Sequence, residues 1–270
     1  MIDAPEKLRV EGLSKTFQTN RKAHTVLRGL SFGVAEGEFV SLIGESGCGK
    51  TTVLRIIQGL LESDAGQVVV DGNAVSGPGR DRGLVFQQAN LLPWRTARRN
   101  VEFGLELQGL TRAQRGERAG ELLDLVGLGG FADHYPHQMS GGMQQRIGLA
   151  RALAIDPAVL LMDEPFSALD AQTREVLQKE LLRVHSETRK TVLFVTHDLD
   201  EALYLSDRVV VLAANPGRVK QIIDVPFERP RGELTELRGL PEFQELRSQV
   251  WQLIRSTNPS TNAGSDRVQD

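Results

Sequence analysis

The sequence predicts an α/β layer fold around a largely parallel sheet. Short apolar runs recur along the chain, stretches of helical periodicity separate them, and a glycine-rich turn joins one apolar run directly to a helix. In chain order, FVSLI at 39–43 reads as a buried strand and TTVLRIIQGLL at 51–61 as the helix it feeds. QVVVDG at 67–72 and GLVF at 83–86 are further strands. Residues 97–155 are long, charge-rich and helical, with apolar positions at Leu122, Leu123, Val126 and Leu128. They are expected to form a helical subdomain, spanning about 89–155, inserted in the sheet-bearing core. The strand pattern returns at AVLLMDEP (158–165), TVLFVTHD (191–198) and RVVVLAA (208–214), and the helix DAQTREVLQKELLRVHSET lies between the first two. After Pro226 a short basic stretch, PFERPRGEL, precedes an amphipathic helix that starts near Pro241 and carries Phe243, Leu246, Val250 and Leu253 on one face. From Thr257 onward the chain has too little apolar surface to order itself. The expectation is one domain over 1–255, with core pieces at 6–88 and 156–225, a tail helix within 226–255 and a disordered tail at 256–270. There is no internal repeat, so one such unit is present and not two.

The bulk numbers agree with this. At 270 residues the chain fits one large or two small domains, and 40% hydrophobic with 25% charged residues is the balance of an ordinary soluble protein. A formal net charge of -3 lacks the basic excess of a nucleic-acid binder, so no nucleic-acid partner is expected. The N-terminus mixes acids and bases where a secretory signal needs an apolar core, and no stretch approaches the roughly 18 apolar residues of a membrane span. The chain is therefore expected to stay in the cytosol and cross nothing. The single Cys48 rules out an internal disulfide and any multi-cysteine metal site.

Residues 44–51, GESGCGKT, match the phosphate-loop pattern G-x-x-x-x-G-K-[ST], set between an apolar strand and a helix as its mechanism requires. Gly44, Gly47 and Gly49 let backbone N–H groups turn inward on phosphate oxygens, and the following helix aims its positive end at the same place. With Glu45, Ser46, Cys48, Lys50, Thr51 and Thr52 they form the candidate cradle. Lys50 reaches β- and γ-phosphates, and the Thr51 hydroxyl ligates Mg²⁺. The alternative is a merely glycine-rich turn. Downstream, VLLMDEP is a buried strand ending in two carboxylates, which sets Asp163 beside the metal and Glu164 where an attacking water is held. Its bland alternative is an acidic turn after a strand. Together these residues make a site that hydrolyses a nucleoside triphosphate.

A second cradle, MSGGMQQR at 139–146, is incomplete. Ser140, Gly141 and Gly142 lead into a helix with apolar positions at Met143, Ile147, Ala150 and Ala154, so its free N–H groups and positive end face outward. No lysine accompanies it and no carboxylate pair follows closely, which makes it half of a site; alone, it also reads as a helix cap with flexible glycines.

GESGCGKT, MSGGMQQR, LLMDEP, SALD and FVTHD, in this order, resemble the ATP-binding cassette of ABC transporters over roughly residues 7–225. The resemblance implies a P-loop NTPase of ABC-cassette type, with a mostly parallel sheet core, an N-terminal antiparallel β subdomain and the inserted helical subdomain. It implies that Phe17 stacks on adenine, against the alternative of a half-buried strand residue. Gln87, with Gln88 as the neighbouring register, senses Mg²⁺ and the attacking water, so that Thr51, Gln87 and Asp163 hold the metal. His197 is the switch histidine on the γ-phosphate. Asp170 lies at a dimer interface, and an N-cap role coexists with that. The Ser140 segment closes over ATP bound by a second cassette, so two ATP molecules are sandwiched between subunits, in an expected homodimer. Glu164 polarises water while Lys50 and His197 stabilise charge.

ANLLPWRT at 89–96 puts Leu91, Leu92, Pro93 and Trp94 in a loop, where large apolar groups need a cover. They read as a groove for a coupling helix of an integral membrane permease, with Trp94 as anchor, or as part of the helical subdomain's own core. FQQANLLPW and the tail resemble importers of nitrate, sulfonates and taurine, which implies a solute-binding protein in the system and a peripheral place at the cytoplasmic face of the inner membrane. The roughly 45 residues after Pro226 are too few for an added β-barrel. A soluble ABC ATPase acting on a non-membrane partner is the rival reading; a P-loop kinase leaves MSGGMQQR and His197 unexplained.

Overall fold

The computed structural model of the chain describes residues 5–19 and 22–256. Strands β1 (Glu6–Thr19) and β2 (Lys22–Ala35) pair antiparallel, with Val10 opposite Phe32 and Leu13 opposite Leu30. β3 (Phe39–Gly44) follows and runs into α1 (Lys50–Ile57). β4 (Ala65–Val70) and β5 (Asn73–Ala74) extend the first sheet to the order β2-β1-β4-β5, which is the expected antiparallel unit. β6 (Arg82–Val85) leads into the helical stretch of α2 (Ala97–Glu102), α3 (Arg112–Leu125) and α4 (Gly141–Ala154). Then come β7 (Val159–Asp163), α5 (Ala171–Thr188), β8 (Thr191–Val195), α6 (Leu199–Leu205), β9 (Arg208–Ala213) and β10 (Arg218–Asp224). Two helices close the described chain, α7 (Leu234–Arg238) and α8 (Pro241–Arg255).

The second sheet has the order β10-β9-β3-β8-β7-β6, and all its pairs are parallel except β9 with β10. Its central strands are apolar runs buried on both faces: every residue of β3 and of β8 is buried. Alternation sends neighbours to opposite sides. Phe39, Ile43, Leu160, Met162, Val192 and Phe194 join a core with α2 to α5, whereas Val40, Leu42, Leu161, Leu193 and Val195 join one with α1 and the antiparallel sheet. β6 and β7 are parallel neighbours, so α2, α3 and α4 all lie within a single crossover between adjacent strands.

Several boundaries differ from expectation. The helix expected over 51–61 stops at Ile57, because Gly59 turns left-handed at φ 74 and its N–H donates to Ile56 O at 2.9 Å. The strand expected to Pro165 ends at Asp163, where Glu164 takes φ 45. β10 and α7 emerge from a stretch with no strand or helix expectation; β10 is an edge strand in which only Ile223 is buried. The amphipathic helix behaves as expected, with Phe243 and Val250 fully buried and Leu246 and Leu253 packed on the same core. Ser256, assigned to the tail, instead continues α8 by donating its N–H to Gln252 O at 3.0 Å; the rest of that tail lies outside the described residues. Among the described residues no helix is long and apolar enough to cross a membrane.

Candidate nucleotide site

The site is built where parallel strands end. β3 opens into 44–52, β7 into Asp163 and Glu164, β8 into Thr196 and His197, and β6 into Phe86 and Gln87. The register aligns these ends: Leu42 and Asp163 both pair with Val195, and Val85 pairs with Met162. A parallel sheet thus delivers four loops to one edge, the usual place for a ligand in an open α/β sheet. The antiparallel sheet reaches the same place through Gly217, whose N–H donates to Val26 O at 2.7 Å while its carbonyl accepts from Arg28 N at 3.0 Å.

One cavity gathers Ser46, Gly47, Gly49, Lys50, Thr51, Thr52, Glu164 and His197, together with Val26. Val26 was not expected; its place follows from the pairing with Gly217, which no local pattern announces. Gly47 and Gly49 hold φ 81 and 98, a left-handed region open chiefly to glycine. A Cβ on Gly49 would also stand 2.6 Å from Leu27 Cδ2. Gly49 caps α1, whose first N–H groups have no partner within the helix and point into the cavity with the positive end of the dipole. Lys50 is buried, and its Nζ donates to Gly44 O at 2.7 Å and Glu45 O at 3.3 Å, which leaves a third donor. Cys48 is wholly buried beneath the loop, and burial pushes its thiol pKa up, so it packs and does not react.

Glu164 is held in place by its own backbone. Its N–H donates to Val195 O at 2.9 Å, its carbonyl accepts from Ser167 Oγ at 2.9 Å, and Oε2 lies 3.1 Å from His197 Nδ1. A non-glycine residue at φ 45 is strained by about 1–2 kcal/mol, and such strain persists where the surroundings over-determine it. Burial, then the neighbouring Glu164, pushes the Asp163 carboxyl above its ordinary pKa. The Asp163 carboxylate and the Thr51 hydroxyl are hard oxygen donors suited to Mg²⁺. Among the described residues there is no cluster of three or more His, Cys, Asp or Glu fit for a metal, so phosphate oxygens would have to complete the shell.

Other expected residues lie elsewhere. Ser140 and Gly142 line a different groove, with Phe131, Thr173 and Val176. Ser140 caps α4, accepting from Met143 N at 3.3 Å, and a Cβ on the buried Gly142 would stand 2.7 Å from Thr173 Cγ2. Gly141 is exposed beside them. Asp170 caps α5, accepting from Thr173 N at 3.0 Å and Thr173 Oγ1 at 2.7 Å, which lowers its pKa. The Phe17 ring is 38% exposed on β1, with Lys15 Nζ 5.8 Å from its centroid. Gln87 and Gln88 are both exposed, and neither lines the phosphate cavity.

The loop after Gln87 is fastened from below. Gln145 of α4 donates to Phe86 O at 2.8 Å, and Arg151 donates to Ala89 O at 2.6 Å and Asn90 O at 2.8 Å. The fully buried Asn100 accepts from Leu92 N at 2.8 Å, and its amide donates to Leu92 O, Arg95 O and Thr96 O at 3.0–3.2 Å. On that frame Trp94 stands 71% exposed beside a groove lined by Arg98, Arg99, Arg112 and Tyr135. Leu91 and Leu92 are half-buried, Leu91 packing on the core as one expected reading has it, whereas Pro93 and Trp94 are exposed.

A family described as ABC transporter matches residues 27–167, and one described as AAA domain, putative AbiEii toxin, Type IV TA system matches residues 132–203. The chain is 53% identical over 249 residues to an uncharacterized ABC transporter ATP-binding protein of Methanocaldococcus jannaschii, covering 92% of this chain and 91% of that one. It is 45% identical to the taurine import ATP-binding protein TauB of Rhizobium johnstonii, covering 90% and 94%. To the nitrate import ATP-binding protein NrtD of Synechocystis sp. it is 41% identical, covering 92% and 95%. Among solved structures it is similar to a dimeric, post-hydrolysis ATP-binding cassette bound to ADP and Pi, with a TM-score of 0.71, 35% identity and coverage of 82% and 100%.

Proposed function

Because the chain belongs to the ATP-binding cassettes of the ABC transporter family, we propose that it is the ATP-hydrolysing subunit of an importer, driving uptake of a small anion such as nitrate, a sulfonate or taurine through separate membrane subunits. Relatives named for taurine and nitrate import support the cargo class. The observation that carries the mechanism is the separation of two anion cradles in one chain. Lys50, Glu164 and His197 share a cavity, whereas Ser140 and Gly142 face another groove. Each chain thus offers one full phosphate loop and one lid, and the lid serves the ATP of a second copy. The similarity to a dimeric cassette supports that partner.

In this reading the N–H groups of 46–52 and the Lys50 ammonium bind the triphosphate, and Phe17 stacks on adenine. Glu164 orients a water and accepts its proton as the water oxygen bonds to the γ-phosphorus and the bond to ADP breaks. His197, 3.1 Å from Glu164, holds the γ-phosphoryl oxygens. Thr51 and Asp163, with Gln87 as the third expected ligand, would hold Mg²⁺, which would neutralise charge on the transferring group when bound. Asp170 lies at the edge between copies. Trp94 anchors a permease segment, and a solute-binding protein delivers cargo from the far side, which places this chain at the cytoplasmic face of the inner membrane.

Glu164→Gln tests the site. Binding of ATP is expected to persist, the protein to become an ATP-dependent dimer by light scattering, and turnover to fall at least about a hundredfold. A variant that hydrolyses ATP at the normal rate would remove Glu164 from the role given to it.

A further inference from the structure

The last helices of the chain grip the segment that carries His197. α6 begins two residues after His197 and is seven residues long, so it is marginal by itself and is ordered by the packing of its buried residues and by what holds its ends and its side. At its start Asp198 accepts from Asp200 N at 2.8 Å and Glu201 N at 3.1 Å. At its end two arginines from the stretch after Pro226 take the free carbonyls. Arg229 donates to Leu205 O at 2.6 Å, and Arg231 donates to Leu203 O at 3.0 Å, to Ser206 O at 2.5 Å and to Tyr204 O. Guanidinium groups there complement the negative end of the helix. Burial, then the nearby Arg229, pushes the Arg231 pKa down to about 10.

The side of α6 is gripped as well. Asp200, in its first turn, accepts from Arg238 Nε of α7 and from Arg247 Nε of α8, each at 2.8 Å and each on a different oxygen. One carboxylate three residues from His197 is thus shared by two helices of the tail. The two arginines are 38% and 44% exposed, a setting in which ion pairs contribute little to stability. Their convergence on one carboxylate fixes direction more than it adds strength.

We propose that Asp200 is a positioning residue for ATP hydrolysis, and that Arg238 and Arg247 act through it to fix the direction in which His197 leaves β8 and meets Glu164. The tail beyond Pro226 is then a clasp on the switch histidine and not an appendage. This rests on the roles given above to His197 and Glu164.

The test uses the full chain with Asp200→Asn, with Arg238→Gln/Arg247→Gln, and with all three changes, beside wild type and His197→Ala. In the clasp variants kcat is expected to fall about tenfold, while the KM for ATP stays within about twofold and the melting temperature within about 3 °C. The triple variant should be no slower than either parent, because the three groups act as a unit. Arg238→Lys/Arg247→Lys should recover part of the loss. Unchanged kcat in both parent variants would overturn the clasp, as would a loss of kcat that tracks falling nucleotide affinity and melting temperature. If wild type fails to hydrolyse ATP, or His197→Ala matches it, the assignment of His197 fails first and the clasp with it.

Discussion

His185 sits on the inner face of α5, edge-on to the Phe39 ring at 5.3 Å, and its buried Nε2 has no hydrogen-bond partner among the described residues. Burial first, then the nearby Arg229, pushes its pKa from an ordinary 6.5 down to about 4. The folded value is the lower one, so between these limits the unfolded chain takes up the proton more readily. Stability linked to His185 is full above about pH 6.5 and is lost as pH falls towards about 4, on the order of 2 kcal/mol by pH 5. Urea denaturation at pH 7.5 and pH 5 should show that loss in wild type and a smaller one in His185→Leu; equal losses would deny His185 the part. Nothing in HSET singles this histidine out, because its neutrality depends on Phe39 and on Arg229, both remote in sequence. By contrast, Lys50 and Glu164 were legible from the phosphate-loop and strand-end patterns and His197 from the family resemblance, and the fold brings all three to one cavity. Gln87 was legible as a residue type, yet its exposed side chain lies outside the cavity that the others share.

At the scale of elements, residues 92–96 of the loop carrying Trp94 are bridged by one side chain. Asn100 satisfies its amide entirely within residues 92–96. Asn100→Leu would strand several backbone groups, so a loss of about 2–4 kcal/mol by denaturant melts is expected. The variant should keep ATP hydrolysis when isolated but lose most of the multi-span membrane protein that the proposed function expects to co-purify with wild type in detergent. Full retention of that partner would show that the loop's shape does not matter for docking. The strands at 39–43, 191–195 and 208–213 were legible because continuous apolar runs allow little else. β10 and the five-residue α7 were not, since both are held by neighbours and carry little apolar pattern of their own. Arg229 and Arg231 read only as part of a short basic stretch with no assigned role, although they are hydrogen-bonded to the carbonyls that close α6.

For the molecule as a whole, the proposed function, with a full phosphate cavity and a detached lid in each chain, makes hydrolysis a property of two copies. Specific activity of the isolated protein should therefore fall on dilution, and turnover per chain that is independent of concentration would contradict sharing. The mostly parallel sheet, with helices between β6 and β7, was legible from the alternation of patterns along the chain. The clasp was not, because Asp200 and Arg247 are joined only by the return of the chain across the sheet. Glu164 adds a conflict to this plan. Its left-handed backbone would suit a glycine better, so the protein retains a carboxylate where relaxation would discard it. With the role proposed for Glu164, heat tolerance and turnover pull in opposite directions at this position, and a screen that rewards endurance alone would drift towards a sturdier but idle machine.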